Sequence, residues 1–302
     1  MSTTDVVGTG AVYDRGYRPY EGPRGRRGAA TFALYKASIR RALGLRRSWR
    51  QKVAPFVLLG VVTIPAIVNV GIGYVTRNEL FRDRIAIITY REYVGVSSAL
   101  LLFVALVAPD VVCPDRRQHV LPLMFARPLT GFDYVVAKVG AIATILFAFS
   151  FGPQVVLFVG NMLVSNDALR YFTDHLDIVW KVPLAVAILA LYYAVIGVSV
   201  ASLTNRRIVA GASVIGLFLV TSISSGVIVG EEFKFGGGSL AALINVLALP
   251  LYLRDLVFLG HIDPESPLNG VNGGGFFAVL TYLVVLLAGV AVLLYRYREV
   301  EK

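Results

Sequence analysis

Long apolar runs alternate with short polar stretches along most of this chain. Six runs are of membrane-crossing length, at about 53–75, 93–112, 139–164, 182–203, 208–230 and 276–295. A helix needs roughly 20 apolar residues to cross a hydrocarbon core of about 30 Å, so each run predicts one transmembrane helix. Pro55 falls in the first turn of the first run, where its missing N–H is tolerated, while Pro65 lies mid-run and predicts a kink. Gly152-Pro153 predicts a break in the third run.

The stretch 240–259 is apolar but differs in kind, because it holds Pro250, Arg254 and Asp255. A charge at bilayer depth costs roughly 2.5–3.5 kcal/mol even on insertion scales. The stretch therefore predicts a broken re-entrant or interfacial hairpin between the fifth and sixth spans, with its irregular backbone covered by protein or water. Ahead of the first span, Phe32, Tyr35, Ile39, Ala42, Leu43 and Trp49 recur at helical spacing, with Lys36, Arg40, Arg41, Arg46, Arg47 and Arg50 between them. This predicts a basic amphipathic helix over 32–52, suited to the headgroup plane or to packing on a cytoplasmic partner. Residues 1–31 carry Gly and Pro too often for a packed helix and read as a basic tail. The expected fold is all-α and membrane-integral. A tail (1–31) and an amphipathic interfacial helix (32–52) precede a six-helix transmembrane domain (53–295). That domain contains a connecting loop (113–138) and the re-entrant segment (240–259), and a short tail (296–302) follows it.

Composition supports the membrane reading. Of 302 residues, 56% are hydrophobic and the mean hydropathy is +0.69, above the 45–50% apolar content usual for soluble domains. The net charge of +10 would suggest nucleic acid on a soluble protein. Here the charge sits between apolar runs, so it orients the chain instead and no nucleic-acid partner is expected. With both termini in the cytoplasm, the inner segments 1–52, 113–138, 204–207 and 296–302 hold 21 of the 29 Lys and Arg residues, and the outer side holds 11 of the 19 acids. A seventh span would put Arg296, Arg298 and Lys302 outside, against this rule. The expected location is the plasma membrane. The first apolar run begins near Val53, too late for a signal peptide.

Candidate chemistry is sparse. The single cysteine, Cys113, permits no intrachain disulfide. His119, His175 and His261 fall in separate loops, and neither a His-Glu-x-x-His helix, a P-loop nor a Gly-x-Ser-x-Gly elbow occurs. Asp174, His175 and Asp177 could hold a metal, but read better as a solvated loop. Asp110 is the nearest approach to an ionisable residue within a span and is expected to meet headgroup water or an arginine. Gly236-Gly237-Gly238 and Gly273-Gly274-Gly275 read as flexible turns. The chain is therefore expected to be non-catalytic, without a cofactor or metal, and either to borrow energy from a partner or to serve as a scaffold.

The loop between the second and third spans is the most informative segment. Thr130 suits an N-cap for a short cytoplasmic helix starting near Gly131, with Asp133 favouring the positive end of its dipole and Lys138 at the interface. Here the sequence resembles permease subunits of ABC-2 type transporters. The resemblance is carried by Asp115, then Leu121 and Leu123, then Arg127-Pro128-Leu129-Thr130, Tyr134 and Ala137-Lys138. Gln118-His119 stand where the family often has Gly. The pattern Tyr-Asp-x-Gly-Tyr-Arg-x-Tyr-x-Gly-Pro-Arg at 13–24 is similar to a subset of actinobacterial-type members. The resemblance implies a coupling segment formed by Asp115, Arg116, Arg117, Arg127, Pro128, Thr130, Phe132, Asp133 and Tyr134. It also implies ABC ATPase subunits that bind ATP and Mg, and a second permease copy or related permease in the bilayer. A lipophilic or amphipathic substrate is expected from the nearly neutral spans. The alternative expectation is a membrane anchor or assembly protein without transport activity.

Overall fold

The computed structural model describes residues 27–44, 49–75, 89–94, 97–118, 120–121, 124, 129–165, 167–233 and 238–301. Among them there is no strand. The α-helices laid out in full among the described residues are α1 (Arg27–Ala42), α2 (Trp49–Val75), α3 (Tyr90–Val94), α4 (Ser97–Arg117), α5 (Gly131–Val164), α6 (Ala168–Asp174), α7 (Leu176–Ser202), α8 (Arg207–Phe233), α9 (Leu249–Leu259) and α10 (Gly274–Glu301). A 3₁₀ turn, Leu240–Ile244, precedes α9. Six of these stretches are long and apolar enough to cross a membrane, namely α2, α3 with α4, α5, α7, α8 and α10. The protein is therefore a multi-pass helical membrane protein by length and composition.

The spans divide into a centre and a shell. The most apolar stretches of α4 and α7 are 80% and 72% buried, against 11%, 17% and 17% for α2, α8 and α10. The shell helices turn side chains such as Val57, Ile64, Val220, Ile223, Val284 and Leu287 outward. This is the expected arrangement when the surrounding solvent is itself hydrocarbon. Helices provide it because their backbone polar groups are satisfied within the segment.

Without a hydrophobic drive between helices in lipid, association depends on close packing and small residues. Gly197 of α7 faces Val104 and Ala108 of α4 with no room for a Cβ. A Cβ on Gly289 of α10 would stand 2.8 Å from Val195 Cγ1 of α7. At that crossing the Ser199 hydroxyl donates to the Gly289 carbonyl at 2.9 Å.

Successive spans alternate in direction. The end carrying α1 also holds the close of α4, the start of α5, the close of α7, the start of α8 and Tyr297 of α10. The opposite end carries the 3₁₀ turn and α9. There the irregular backbone is covered by hydroxyls: Tyr192 donates to Val246 O at 3.0 Å, Tyr193 to Leu247 O at 2.8 Å and Ser225 to Ala241 O at 2.9 Å. The helix α9 stops at Gly260, whose φ of 76° suits a residue without a Cβ.

Three local readings differ from expectation. Helix α1 begins at Arg27 and ends at Ala42, not over 32–52, and Gly44 follows at φ 64°, a left-handed stop. Residues 1–26 and 45–48 lie outside the described set. No break occurs at Gly152-Pro153, because α5 continues through it as one helix of 34 residues. A mid-helix proline removes one backbone donor, and in a membrane bundle its neighbours can compensate. The helix begun by Thr130 is not a separate piece but the first turns of that same span.

Candidate functional site

Thr130 starts α5 with a full capping box: the Asp133 N–H donates to Thr130 Oγ1 at 3.3 Å and the Thr130 N–H donates to Asp133 Oδ2 at 3.0 Å. Arg27 of α1 closes over this cap. Its Nε donates to Asp133 Oδ2 at 2.6 Å and its Nη2 to Thr130 Oγ1 at 2.8 Å. About two turns further along α1 and three along α5, the Tyr35 and Thr144 hydroxyls meet at 2.9 Å. The amphipathic helix is thus tied along its length to α5.

Beneath this surface lies a buried polar knot. Asp115, near the end of α4, has no solvent exposure. Its Oδ2 stands 2.6 Å from Lys138 Nζ and accepts from the Tyr134 hydroxyl at 3.0 Å, and its Oδ1 pairs with Arg41 of α1. Lys138 is equally buried, donates to Val111 O at 3.0 Å and lies 5.3 Å from the Tyr134 ring centroid. Tyr134 packs on Tyr297 of α10 with centroids 4.6 Å apart. One carboxylate therefore joins α1, α4 and α5, and its phenol partner extends the contact to α10. Buried charges persist only when paired and hydrogen-bonded, and here both conditions hold.

A further contact ties down α7, as the Arg116 guanidinium donates to Ser202 O at that helix's end. Arg207, opening α8, pairs with Asp110 of α4. Arg117 points to solvent and Phe132 is exposed at 58%.

The residues singled out from the sequence thus separate. Asp115 and Tyr134 lie inside the bundle, Arg116 faces α7, Thr130 and Asp133 form the cap, and Phe132 and Arg117 reach the surface. Arg127 and Pro128, like Leu123 and His119 nearby, lie outside the described residues. Sequence reasoning missed Arg27, Arg41 and Tyr297, and put Lys138 at the interface when it is buried. A usable signal existed for Lys138, since a lone cation inside an otherwise apolar run implies a buried partner.

The opposite end carries a second polar cluster. Arg254 and Asp255 of α9 pair with each other at 2.7 Å, and Arg91 of α3 lies 2.5 Å from Asp263 and 3.8 Å from Asp255. Burial pushes the Asp255 carboxyl up, against the pull of Arg254 and Arg91. Asp263 is held below the ordinary carboxylate range, first by the Glu265 N–H and then by Arg91. Lys181 of α7 donates to Asp177 at 3.0 Å and to Phe258 O at 3.2 Å. Asp174 stands 3.8 Å from Arg170, and His175 stacks on Tyr171. No metal-holding group of three His, Cys, Asp or Glu side chains occurs among the described residues.

Fold and site together define a multi-pass helical membrane protein whose spans are pinned by charge at one end. A scan against protein-family models and a search of the curated proteins both return no match.

Proposed function

We propose that this chain is a permease subunit of an ATP-driven exporter of the ABC-2 type. Two such chains, identical or related, would form the pathway, and separate ATPase subunits would bind ATP and Mg. The chain itself would be non-catalytic. The α1 end would be cytoplasmic, in keeping with the positive-inside excess in the sequence, and the helix α1 would lie along the interface. The stretch holding the 3₁₀ turn and α9 would be a re-entrant hairpin on the outer side.

The observation that carries this reading is the Asp115 knot. A subunit with no energy source must receive force at one place and pass it to several spans. Asp115 joins α1, α4 and α5 within one hydrogen-bonded cluster, beside an exposed Phe132 at the first turn of α5. A partner pressing on that turn would move these helices as a unit and shift an inward/outward equilibrium, which requires only that it bind the two states differently.

The test is purification from the native membrane in mild detergent, with identification of co-eluting chains and assay of ATP hydrolysis. A stoichiometric ATPase whose stimulated activity is lost in Phe132→Ala and Arg127→Ala supports the proposal. A lone chain without ATPase would overturn it and point to a membrane anchor or assembly protein.

A further inference from the structure

Helix α1 carries four cations and no acid. Two of the cations are committed inward, Arg27 to Asp133 and Arg41 to Asp115. The other two, Lys36 and Arg40, are exposed, and no carboxylate pairs with either among the described residues. They follow Phe32, itself 63% exposed, at four and eight residues, so the three share one face. Ala33 and Ala37 flank that face without covering it, while Ser38 and Ala42 are buried on the opposite side. The helix thus turns an aromatic ring and two unmatched charges away from the bundle.

Its depth is fixed by α5. The Tyr35 ring lies 3.8 Å from where a Cβ on Gly140 would stand, and the Tyr35 hydroxyl meets that of Thr144. Lys138 is the last charged residue of α5, and the helix is uncharged from there to Val164. Lys36, next to Tyr35, is therefore held where the apolar part of the span begins, which is the level of lipid headgroups. The charge of the surroundings does not cancel it. Residues 1–52 hold 12 Lys and Arg against 3 acids, and no acid occurs from Gly22 to Asn78, the residues outside the described set included. What meets this face laterally is lipid, and the partner its charge calls for is an anion.

We infer that the outward face of α1 is a binding site for the headgroup of an anionic phospholipid. Lys36 and Arg40, one turn apart, both reach a single phosphate, and Phe32 enters the layer beside them. A zwitterionic lipid offers the same phosphate but brings its own cation, which these side chains repel. The leaflet that supplies the lipid rests on the orientation in the proposed function. Binding does not, and it is measured without any ATPase, so either can fail alone.

The experiment is native mass spectrometry of the full chain in mild detergent, counting bound lipids during titration with palmitoyl-oleoyl phosphatidylglycerol or the phosphatidylcholine of identical chains. The first phosphatidylglycerol is expected to bind about thirtyfold tighter, the effect of two cations near an anionic surface. Raising ammonium acetate to about 1 M, where screening shortens to about 3 Å, should remove most of that preference. Paired Lys36→Gln and Arg40→Gln should abolish it while leaving phosphatidylcholine binding unchanged, which also shows the variant to be folded. Phe32→Ser should weaken both lipids. Paired Arg206→Gln and Arg298→Gln, at exposed positions of the same end, should keep the preference. Equal affinity for the two lipids, or a preference that survives loss of Lys36 and Arg40, overturns the inference. So does an equal loss in the Arg206 and Arg298 pair, which would make the effect one of overall charge. Displacement by free glycerol phosphate at the lipid's own affinity also overturns it, since the site would then take soluble phosphate.

Discussion

Neutralising Asp115 would strand two cations, Lys138 and Arg41, one of them fully buried. Breaking a buried pair by removing one partner costs about 3–5 kcal/mol. Asp115→Asn is therefore expected to lower stability by that order in thermal unfolding followed by fluorescence. Breaking the Arg27–Asp133 pair from the Arg27 side should cost far less, because Arg27 is more than half exposed and such pairs contribute little. Equal losses in Asp115→Asn and Arg27→Ala would contradict this ranking. At the other end two carboxylates respond oppositely to pH. Asp263, held low, contributes stability above the ordinary carboxylate value of about 3.9, lost as pH falls through its lower folded value. Asp255, pushed up by burial, works against folding as pH rises from about 3.9 through its raised folded value. Unfolding measured across that window should show stability rising more, or falling less, with pH in Asp255→Asn than in the parent chain.

Why the knot was only half visible in the sequence follows from distance along the chain. Asp115 and Tyr134 stand out in the sequence only through the pattern that resembles a coupling loop, and a loop residue reads as surface unless its partner is known. Arg41 lies 74 residues away in an amphipathic helix whose basic residues all look alike. Gln154 sits in an apolar run as an ordinary interruption, and only the packed bundle shows it buried, its Oε1 without a hydrogen-bond partner among the described residues.

Among the elements, α7 is the one on which the others depend. It packs on α4, α5, α8, α9 and α10, and its tyrosines cover the carbonyls between the 3₁₀ turn and α9. Tyr193→Phe should cost about 1–3 kcal/mol by leaving the Leu247 carbonyl buried without a donor. Gly289→Leu, forced against Val195, should cost a further order of about 1–3 kcal/mol by overpacking. Thermal unfolding in detergent checks both; full stability of Tyr193→Phe would show that the Leu247 carbonyl does not depend on this donor, and full stability of Gly289→Leu that the α7–α10 crossing can give way. The existence of these helices was legible from run length alone. Their ends were not, because caps and left-handed stops such as Thr130 and Gly44 depend on a few residues rather than on hydropathy.

For the whole molecule, the alternation of six spans makes a directional prediction. Cys113 is buried, so a single introduced thiol can be read against little background. Leu169→Cys, beyond α5, and Leu203→Cys, after α7, are both at exposed positions at opposite ends. With the basic end inside, an impermeant maleimide should label the first in intact cells and the second only after permeabilisation. The reverse pattern would invert the orientation.

The length of α5 has a consequence of its own. Thirty-four residues at 1.5 Å each make a rod of about 51 Å, while the hydrocarbon layer is about 30 Å deep. Hiding the whole rod by leaning would take a tilt of roughly 54°, beyond the 0–40° range seen for such helices. Across that range of tilt roughly 12–21 Å of it must stand clear of the oil. If the excess lies at the end where Arg27 and Tyr35 bind the rod, as the proposed function has it, α1 would brace a protruding stalk, and a small sideways push on such a stalk would swing the submerged length about the waterline.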